Sequence, residues 1–211
     1  MKIIVTTSNA YHHLLPVFFY LYGKYCGLQC ELVGYKQPPN LPEYCTFHSL
    51  GDQGDKYGFG SDLRKYFLHQ PQWFLWLMDD TLLKAPMASL EHLELFPPSI
   101  GRIDLTGDIQ KRPHTISAGT VIADPKSRYR LSTQPSVWNK DFLLKYMKPG
   151  QSPWDFETQD PMNDGWDVIG PTTPMIHHNE GVRRFDLYKL NLDKMCPVDI
   201  EHIKTIAPWL K

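Results

Sequence analysis

The run Trp73-Phe74-Leu75-Trp76-Leu77-Met78 is apolar without a break and stops at once in Asp79-Asp80. A strand that apolar is buried on both faces, so it belongs inside a sheet covered by helices. The surrounding chain fits such a layer. Lys2 to Thr6 is a β-branched run closed by the helix-capping cluster Thr6-Thr7-Ser8-Asn9. A helix is predicted from about Leu14 to Tyr25, with Pro16 in its first turn and Gly27 as its stop. Glu31 to Tyr35 reads as a second strand, and Thr46 to Leu50 as a third beyond a loop marked by Pro38, Pro39 and Pro42. Gly51, Gly54, Gly58 and Gly60 mark a mobile loop, after which Ser61-Asp62 would cap a helix running to about His69. A further helix is expected from about Met87 to Leu95. This order predicts an α/β fold on an open, mixed, mostly parallel sheet flanked by helices. Farther on, Arg102 to Leu105, Thr120 to Ala123 and Arg128 to Thr133 read as strands. The last two form a hairpin across Asp124-Pro125-Lys126-Ser127. Lys140 to Met147 reads as a helix, and Trp154 to Gln159 opens another.

A chain of 211 residues, 42% hydrophobic and 21% charged, can build the core of one domain over residues 1–211. Its 18 prolines are scattered, so they punctuate loops and mark no linker. With 22 Lys and Arg against 23 Asp and Glu, the net charge of −1 disfavours a phosphate-gripping nucleic-acid binder. The longest apolar stretch, Leu14 to Tyr22, is too short for the roughly 20 residues of a membrane helix. The N-terminus turns polar after Val5, unlike a signal peptide, so a cytoplasmic location is expected. A zinc set of Cys26, Cys30, Cys45 and His48 matches no common ligand spacing, and reduced structural thiols are the better reading.

Ligands of open α/β sheets sit beyond the carboxyl ends of strands. Two carboxylates emitted there repel each other unless a cation lies between them, and a hard divalent ion sharing phosphate oxygens answers that need. Asp79-Asp80 capping the next helix is the equal alternative. Thr6, Ser8 and Tyr11 fall on the same edge, where hydroxyls and a ring suit a nucleoside. There is no GxxxxGK[ST] and no GxGxxG after the first strand, so neither a P-loop nor a dinucleotide site is expected. In Ser152-Pro153-Trp154-Asp155-Phe156-Glu157 the acids either favour a helix start or supply a general base, with Trp154 as a platform for a sugar ring. His177 or His178 would complete a cation's shell, and Arg183-Arg184 would neutralise a diphosphate. Each of these is equally readable as ordinary surface or core.

Taken together, these residues resemble the GT-A class of nucleotide-sugar glycosyltransferases. The resemblance rests on Trp76-Leu77-Met78-Asp79-Asp80, which is similar to that class's DXD motif in a variant with two adjacent Asp. It rests also on the segment Arg128 to Trp138 and on Ser152 to Glu157, which resemble small glycosyltransferases of bacteria and large DNA viruses. Among the viral ones are the N-terminal domains of chlorella-virus proteins that build capsid glycans. The resemblance implies a GT-A fold excised from a longer protein, a UDP-sugar donor carrying a hexose or deoxyhexose, a glycan acceptor, and Mn²⁺ or Mg²⁺. It implies Asp80 as main metal ligand, Asp79 as a helper, and His177 or His178 as the late metal ligand. Thr6, Ser8 and Tyr11 would line the nucleoside, while Ser61, Asp62 and Arg64 would touch nucleotide or donor sugar. Asp155 or Glu157 would act as a base in an inverting reaction. Gln134 would lie against the sugar in a retaining one, towards which the viral resemblance leans. Met-Asp-Asp lacks the first acidic position of Asp-x-Asp, so the cation would depend mainly on Asp80 and the phosphates.

Two other functions compete. A sugar-nucleotide nucleotidyltransferase normally has a Gly-rich basic loop after the first strand, and Thr6 to His13 contains no Gly, Lys or Arg. A non-catalytic carbohydrate-binding module would keep the aromatic residues but have no need for Asp79-Asp80.

Overall fold

A computed structural model describes residues 1–90, 97–159, 164–183 and 186–209. Strand β1 (Lys2–Thr6) leads through a 3-10 turn (Asn9–Leu14) into helix α1 (Leu15–Tyr25). Pro16 lies in that helix's first turn, and Gly27 follows its end at φ 66°, the left-handed conformation a glycine stop requires. Next come β2 (Cys30–Gly34), β3 (Cys45–Ser49), α2 (Gly58–Phe67), β4 (Trp73–Met78) and the short β5 (Thr81–Leu83). The middle of the chain holds β6 (Ile100–Asp104), a 3-10 turn (Asp108–Lys111), β7 (His114–Ser117), β8 (Thr120–Ala123), β9 (Ser136–Asn139), α3 (Lys140–Tyr146) and α4 (Pro153–Glu157). The chain then forms β10 (Asp167–Pro171), β11 (His178–Glu180), β12 (Val182–Arg183), β13 (Asp186–Leu190) and α5 (Pro197–Ile206).

Nine strands make the central sheet, in the order β3-β2-β1-β4-β9-β6-β10-β8-β7. β1 pairs in parallel with β2 and β4, β2 with β3, and β6 with β10. β9 runs against both β4 and β6, and β8 against both β10 and β7. The other strands of the sheet therefore share one direction, giving the mixed, mostly parallel α/β sheet that the sequence predicts.

β4 is buried on both sides, as its composition demands. Leu75 and Leu77 join Ile3, Val5 and the α1 residues Val17, Phe18 and Leu21 in one core cluster. Phe74 and Trp76 join Ile4, Phe67, Trp138, Phe142 and Phe156 in the other. The alternation follows from successive side chains pointing to opposite faces of a strand.

Four local expectations are corrected. No helix follows Asp79-Asp80 directly: the chain turns and forms β5, which pairs with β11. Residues 84–90 are not helical, because their backbone is taken up elsewhere, Met87 N donating to Tyr25 O at 3.0 Å and Ala88 N to Met175 O at 3.1 Å. The remainder of the expected helix, 91–96, lies outside the described residues. Ser61-Asp62 does not cap α2, which begins at Gly58 with no side-chain cap. Its first turn is held by tertiary contact, Gly60 N donating to Gln151 O at 3.0 Å. Arg128 to Thr133 is a run of turns with Tyr129 at φ 61°, and β8 instead forms its hairpin with β7 across Ala118-Gly119, at φ 48° and 78°. The turn run is fixed by buried arginines: Arg102 donates to Arg130 O at 3.1 Å, and Arg130 to Trp166 O at 2.6 Å.

Candidate functional site

The parallel register Thr6 opposite Met78 makes β1 and β4 end together at the centre of the sheet. Asp79 N donates to Thr6 O at 3.1 Å and continues that pairing by one residue. The Asp79 side chain is only 3% exposed and accepts from Thr7 Oγ1 at 2.5 Å. Burial, and then the neighbouring Asp80 carboxylate, push its pKa well above the usual range, against the lowering effect of bonds from Thr7 and the Ser8 N–H. Asp79 therefore brackets the two strand ends through its backbone N–H and its buried carboxyl. The Thr6 hydroxyl is engaged in the core, accepting from Trp76 Nε1 at 2.9 Å and lying 3.2 Å from Met78 Sδ.

Asp80 differs from its neighbour. It is half-buried, and its pKa is pushed up to about 6 by burial and then by the carboxylates of Glu180 and Glu157. No Lys or Arg pairs with it among the described residues. Tyr11 shares this edge, since Asp80 and Asp79 add to burial in raising its phenol. Its backbone N–H donates to Ser8 O at 2.9 Å. Gln53 of the glycine-rich loop accepts from Asn9 N at 2.9 Å, which brings that loop to the same end of the sheet.

The second wall comes from far along the chain. β11 pairs antiparallel with β5, setting Glu180 opposite Thr81, and Gly181 N donates to Asp80 O at 2.5 Å. A Cβ on Gly181 would stand 2.8 Å from that same oxygen, so the approach requires glycine. His178 Nε2 lies 2.7 Å from Gln134 Oε1 and acts as donor there, while Gln134 Nε2 donates to Glu180 Oε1 at 3.2 Å. Burial lowers the His178 pKa to about 4, with Lys84 and Lys111 adding to the effect, so its ring is neutral near pH 7. Behind Gln134, Glu157 Oε1 accepts from Thr133 N at 2.6 Å and Thr133 Oγ1 at 2.7 Å. A cavity of about 350 Å³ opens here, lined among others by Lys84, Lys111, Gln134, His177, His178 and Glu180. Its size is at the low end for a small-ligand site.

The structure thus gathers Ser8, Tyr11, Asp79, Asp80, Gln134, Glu157, His177 and His178 at one end of the sheet. Other candidates have local structural partners. Arg64 donates to the carbonyls of Leu144 and Met147, the latter at 2.8 Å. Ser61 Oγ accepts from Gly150 N at 3.2 Å, and Asp62 from Tyr35 Oη at 3.1 Å. Asp155 closes a capping box with Ser152, accepting from its N–H at 2.9 Å and its hydroxyl at 2.6 Å. Ser152 holds its carboxyl below the usual range. Trp154 stands 63% exposed beside it. Arg183 is in β12, and Arg184 lies outside the described residues. Glu180, Lys84 and Lys111 join the cavity wall without any motif in the sequence marking them. A signal for Glu180 existed: in an extended segment it shares a face with His178, two residues earlier.

Among the described residues no three His, Cys, Asp or Glu side chains converge into a protein cage. Asp80 offers a charge-crowded carboxylate with no Lys or Arg partner among the described residues, which fits an ion whose other ligands come from phosphate and water.

No protein-family model matches the chain, and no curated protein does. Solved structures similar to it include an active-site mutant of LgtC, at 12% identity and TM-score 0.41, over 69% of this chain and 59% of that one. The chain thus spans less than two thirds of that protein. Another is the galactosyltransferase LgtC in complex with donor and acceptor sugar analogues, at 11% identity and TM-score 0.43, over 74% of this chain and 69% of that one. A third is mouse xyloside xylosyltransferase 1 in its apo form, at 10% identity and TM-score 0.45, over 74% of this chain and 79% of that one. Among the described residues no helix is long and apolar enough to cross a membrane.

Proposed function

We propose that this chain is a GT-A type glycosyltransferase that moves a hexose or deoxyhexose from a UDP-sugar to a hydroxyl of a glycan acceptor. The observation that carries the reading is Asp80. A two-sided buried strand delivers it to the carboxyl edge of the sheet, half-buried near the carboxylates of Glu180 and Glu157 and, among the described residues, without a Lys or Arg partner. A divalent ion, Mn²⁺ or Mg²⁺, held by Asp80 and the donor's diphosphate, would supply Lewis-acid stabilisation of the leaving group.

The chain's own residues do the rest. Asp79 fixes the turn that presents Asp80, through Thr7 and the backbone of Ser8. Tyr11 lies where a base can stack, and Ser8 beside it offers a hydroxyl. Gln134 is held by His178 on one side and donates to Glu180 on the other, which keeps its amide at the cavity wall where the transferred sugar would lie. Calorimetric titration with UDP, with and without Mn²⁺, tests the reading. Metal-dependent UDP binding is expected, and its absence would count against the enzyme and for a carbohydrate-binding module.

A further inference from the structure

Three of the four cysteines lie at the amino end of the sheet, opposite the cleft. Cys30 opens β2 and Cys45 opens β3, and the parallel register sets the two residues face to face. Cys30 N donates to Tyr44 O at 2.9 Å, so the ladder is already closed at this point. Paired positions on adjacent strands project to the same side, and both side chains enter the core cluster that α1 covers, at 5% and 7% exposure. Strands about 4.8 Å apart hold paired Cα atoms within the span that a disulfide bridges. The two sulfurs are in contact. The Cys30 S–H donates to Cys45 Sγ, which holds the Cys45 thiol below the usual range and pushes Cys30 above it. The Cys45 S–H itself has only the Thr46 carbonyl, at 3.6 Å. Cys26, half-buried at the end of α1, is the third thiol of this corner, with Tyr22 Oη against both it and Cys30. Among the described residues no three such side chains converge as metal ligands, which leaves thiol oxidation as the chemistry open to the pair.

We propose that Cys30 and Cys45 are a redox-sensitive pair, which a peroxide converts into a cross-strand disulfide clamping β3 to β2. The Cys45 thiolate attacks one oxygen of hydrogen peroxide. The O–O bond breaks, and the other oxygen leaves as water with the thiol proton. The Cys30 sulfur then displaces the hydroxyl of the Cys45 sulfenic acid, which leaves as a second water with the Cys30 proton. Two electrons pass from the sulfur pair to the peroxide, and an external dithiol returns them. The place of the pair gives the bridge its effect. β3 is an outermost strand, bonded only to β2, and Cys45 is its one buried side chain. The bridge therefore fastens the sheet edge where it is otherwise least held. The chain leaving β3 becomes the glycine-rich loop whose Gln53 reaches Asn9, so the bridge also fixes the root of that loop. The inference stands independently of the glycosyltransferase reading.

The test uses the folded wild-type chain and needs no variant that could fail to fold. The reduced protein is treated with hydrogen peroxide, its remaining thiols are alkylated in denaturant, and it is digested with trypsin without reduction. Cleavage after Lys24, Lys36 and Lys56 puts Cys26 and Cys30 on the peptide 25–36 and Cys45 on the peptide 37–56. Mass spectrometry should find these two peptides joined, two hydrogens lighter than their sum, in protein that runs as a monomer on a non-reducing gel. Dithiothreitol should separate them again. Cys26→Ser should join the peptides as wild type does, and Cys30→Ser should not. The thermal midpoint of the bridged wild type should rise by roughly 3 °C or more and fall back on reduction. Full alkylation of Cys30 and Cys45 after peroxide overturns the proposal, as does their conversion to sulfinic or sulfonic acid without a bridge. A bridge within the peptide 25–36, or one lost in Cys26→Ser, assigns the partner to Cys26 and overturns it too. An unchanged or lower midpoint in the bridged protein overturns the clamp.

Discussion

Adjacent aspartates on one turn have opposite physical fates. Asp79 points into the protein, where burial and the nearby charge keep its proton far above the ordinary carboxyl value of about 3.9. The unfolded chain releases that proton near pH 4 while the folded chain retains it. Asp79 therefore makes stability fall as pH rises from about 4 towards its folded value. Asp79→Asn keeps an acceptor for Thr7 and removes this slope. Its stability should equal or exceed that of the wild type at pH 7, with a smaller gain at pH 4, read from urea midpoints. Asp80→Ala should change stability by no more than about 1 kcal/mol, since among the described residues its carboxylate has no Lys or Arg partner to strand. It should abolish the Mn²⁺-dependent part of UDP binding. Asp155 is the complementary case. Asp155→Ala should lower the urea midpoint slightly by opening the capping box while turnover stays within threefold, which separates a cap from a catalyst.

At the level of elements, two long-range joints matter. The first is the β5–β11 ladder, which closes the cleft through the Gly181-to-Asp80 bond. Gly181→Ala puts a methyl 2.8 Å from Asp80 O, so the turn must shift. At least a tenfold loss of metal-dependent UDP affinity is expected, with the far-UV circular dichroism unchanged. The second joint docks α5 on α1. Asp199 is fully buried and accepts from Tyr20 Oη at 2.7 Å, Lys24 Nζ at 2.5 Å and Tyr25 Oη. Burial alone would raise its pKa, but the bonds from Lys24, Tyr25 and Tyr20 outweigh burial and hold it below the usual range. The stability it contributes is present above about pH 3.9 and is lost as pH falls through the lower folded value. Asp199→Asn should cost about 2 kcal/mol at pH 7, mainly through the tyrosines, because Lys24 is partly solvated. The gap from wild type should narrow as pH falls through the lowered folded value, as urea unfolding across pH would show.

For the whole molecule, β9 is the seam. It is hydrogen-bonded to β4 on one side and β6 on the other, against the direction of both. Trp138 on β9 is fully buried and packs with Trp76, Phe142 and Phe156. Because the seam joins both halves of one sheet, Trp138→Ala should lower stability by about 3–5 kcal/mol. Tryptophan fluorescence and far-UV circular dichroism should shift together, and two separate transitions would show that the halves fold independently.

The sequence by itself determined strands β1, β2, β3, β4, β6 and β8, the two-sided burial of β4, the α1 helix with its Pro16 start and Gly27 stop, and the edge where Asp79-Asp80 emerge. Those features are local: an apolar run or a turn residue carries its physical consequence within a few positions. It also singled out Gln134 and the His177-His178 pair, though without their geometry. Only the tertiary structure decided that Asp79 is a buried bracket, Asp155 a cap, Arg64 a helix-end anchor, and Glu180 the carboxylate facing the cleft. Each of those roles is set by a partner from another part of the chain. The decisive one pairs β5 with β11, segments separated by about a hundred residues. A hydrogen bond across that gap leaves no periodicity in the sequence, since it depends on how the sheet closes rather than on any neighbouring residue.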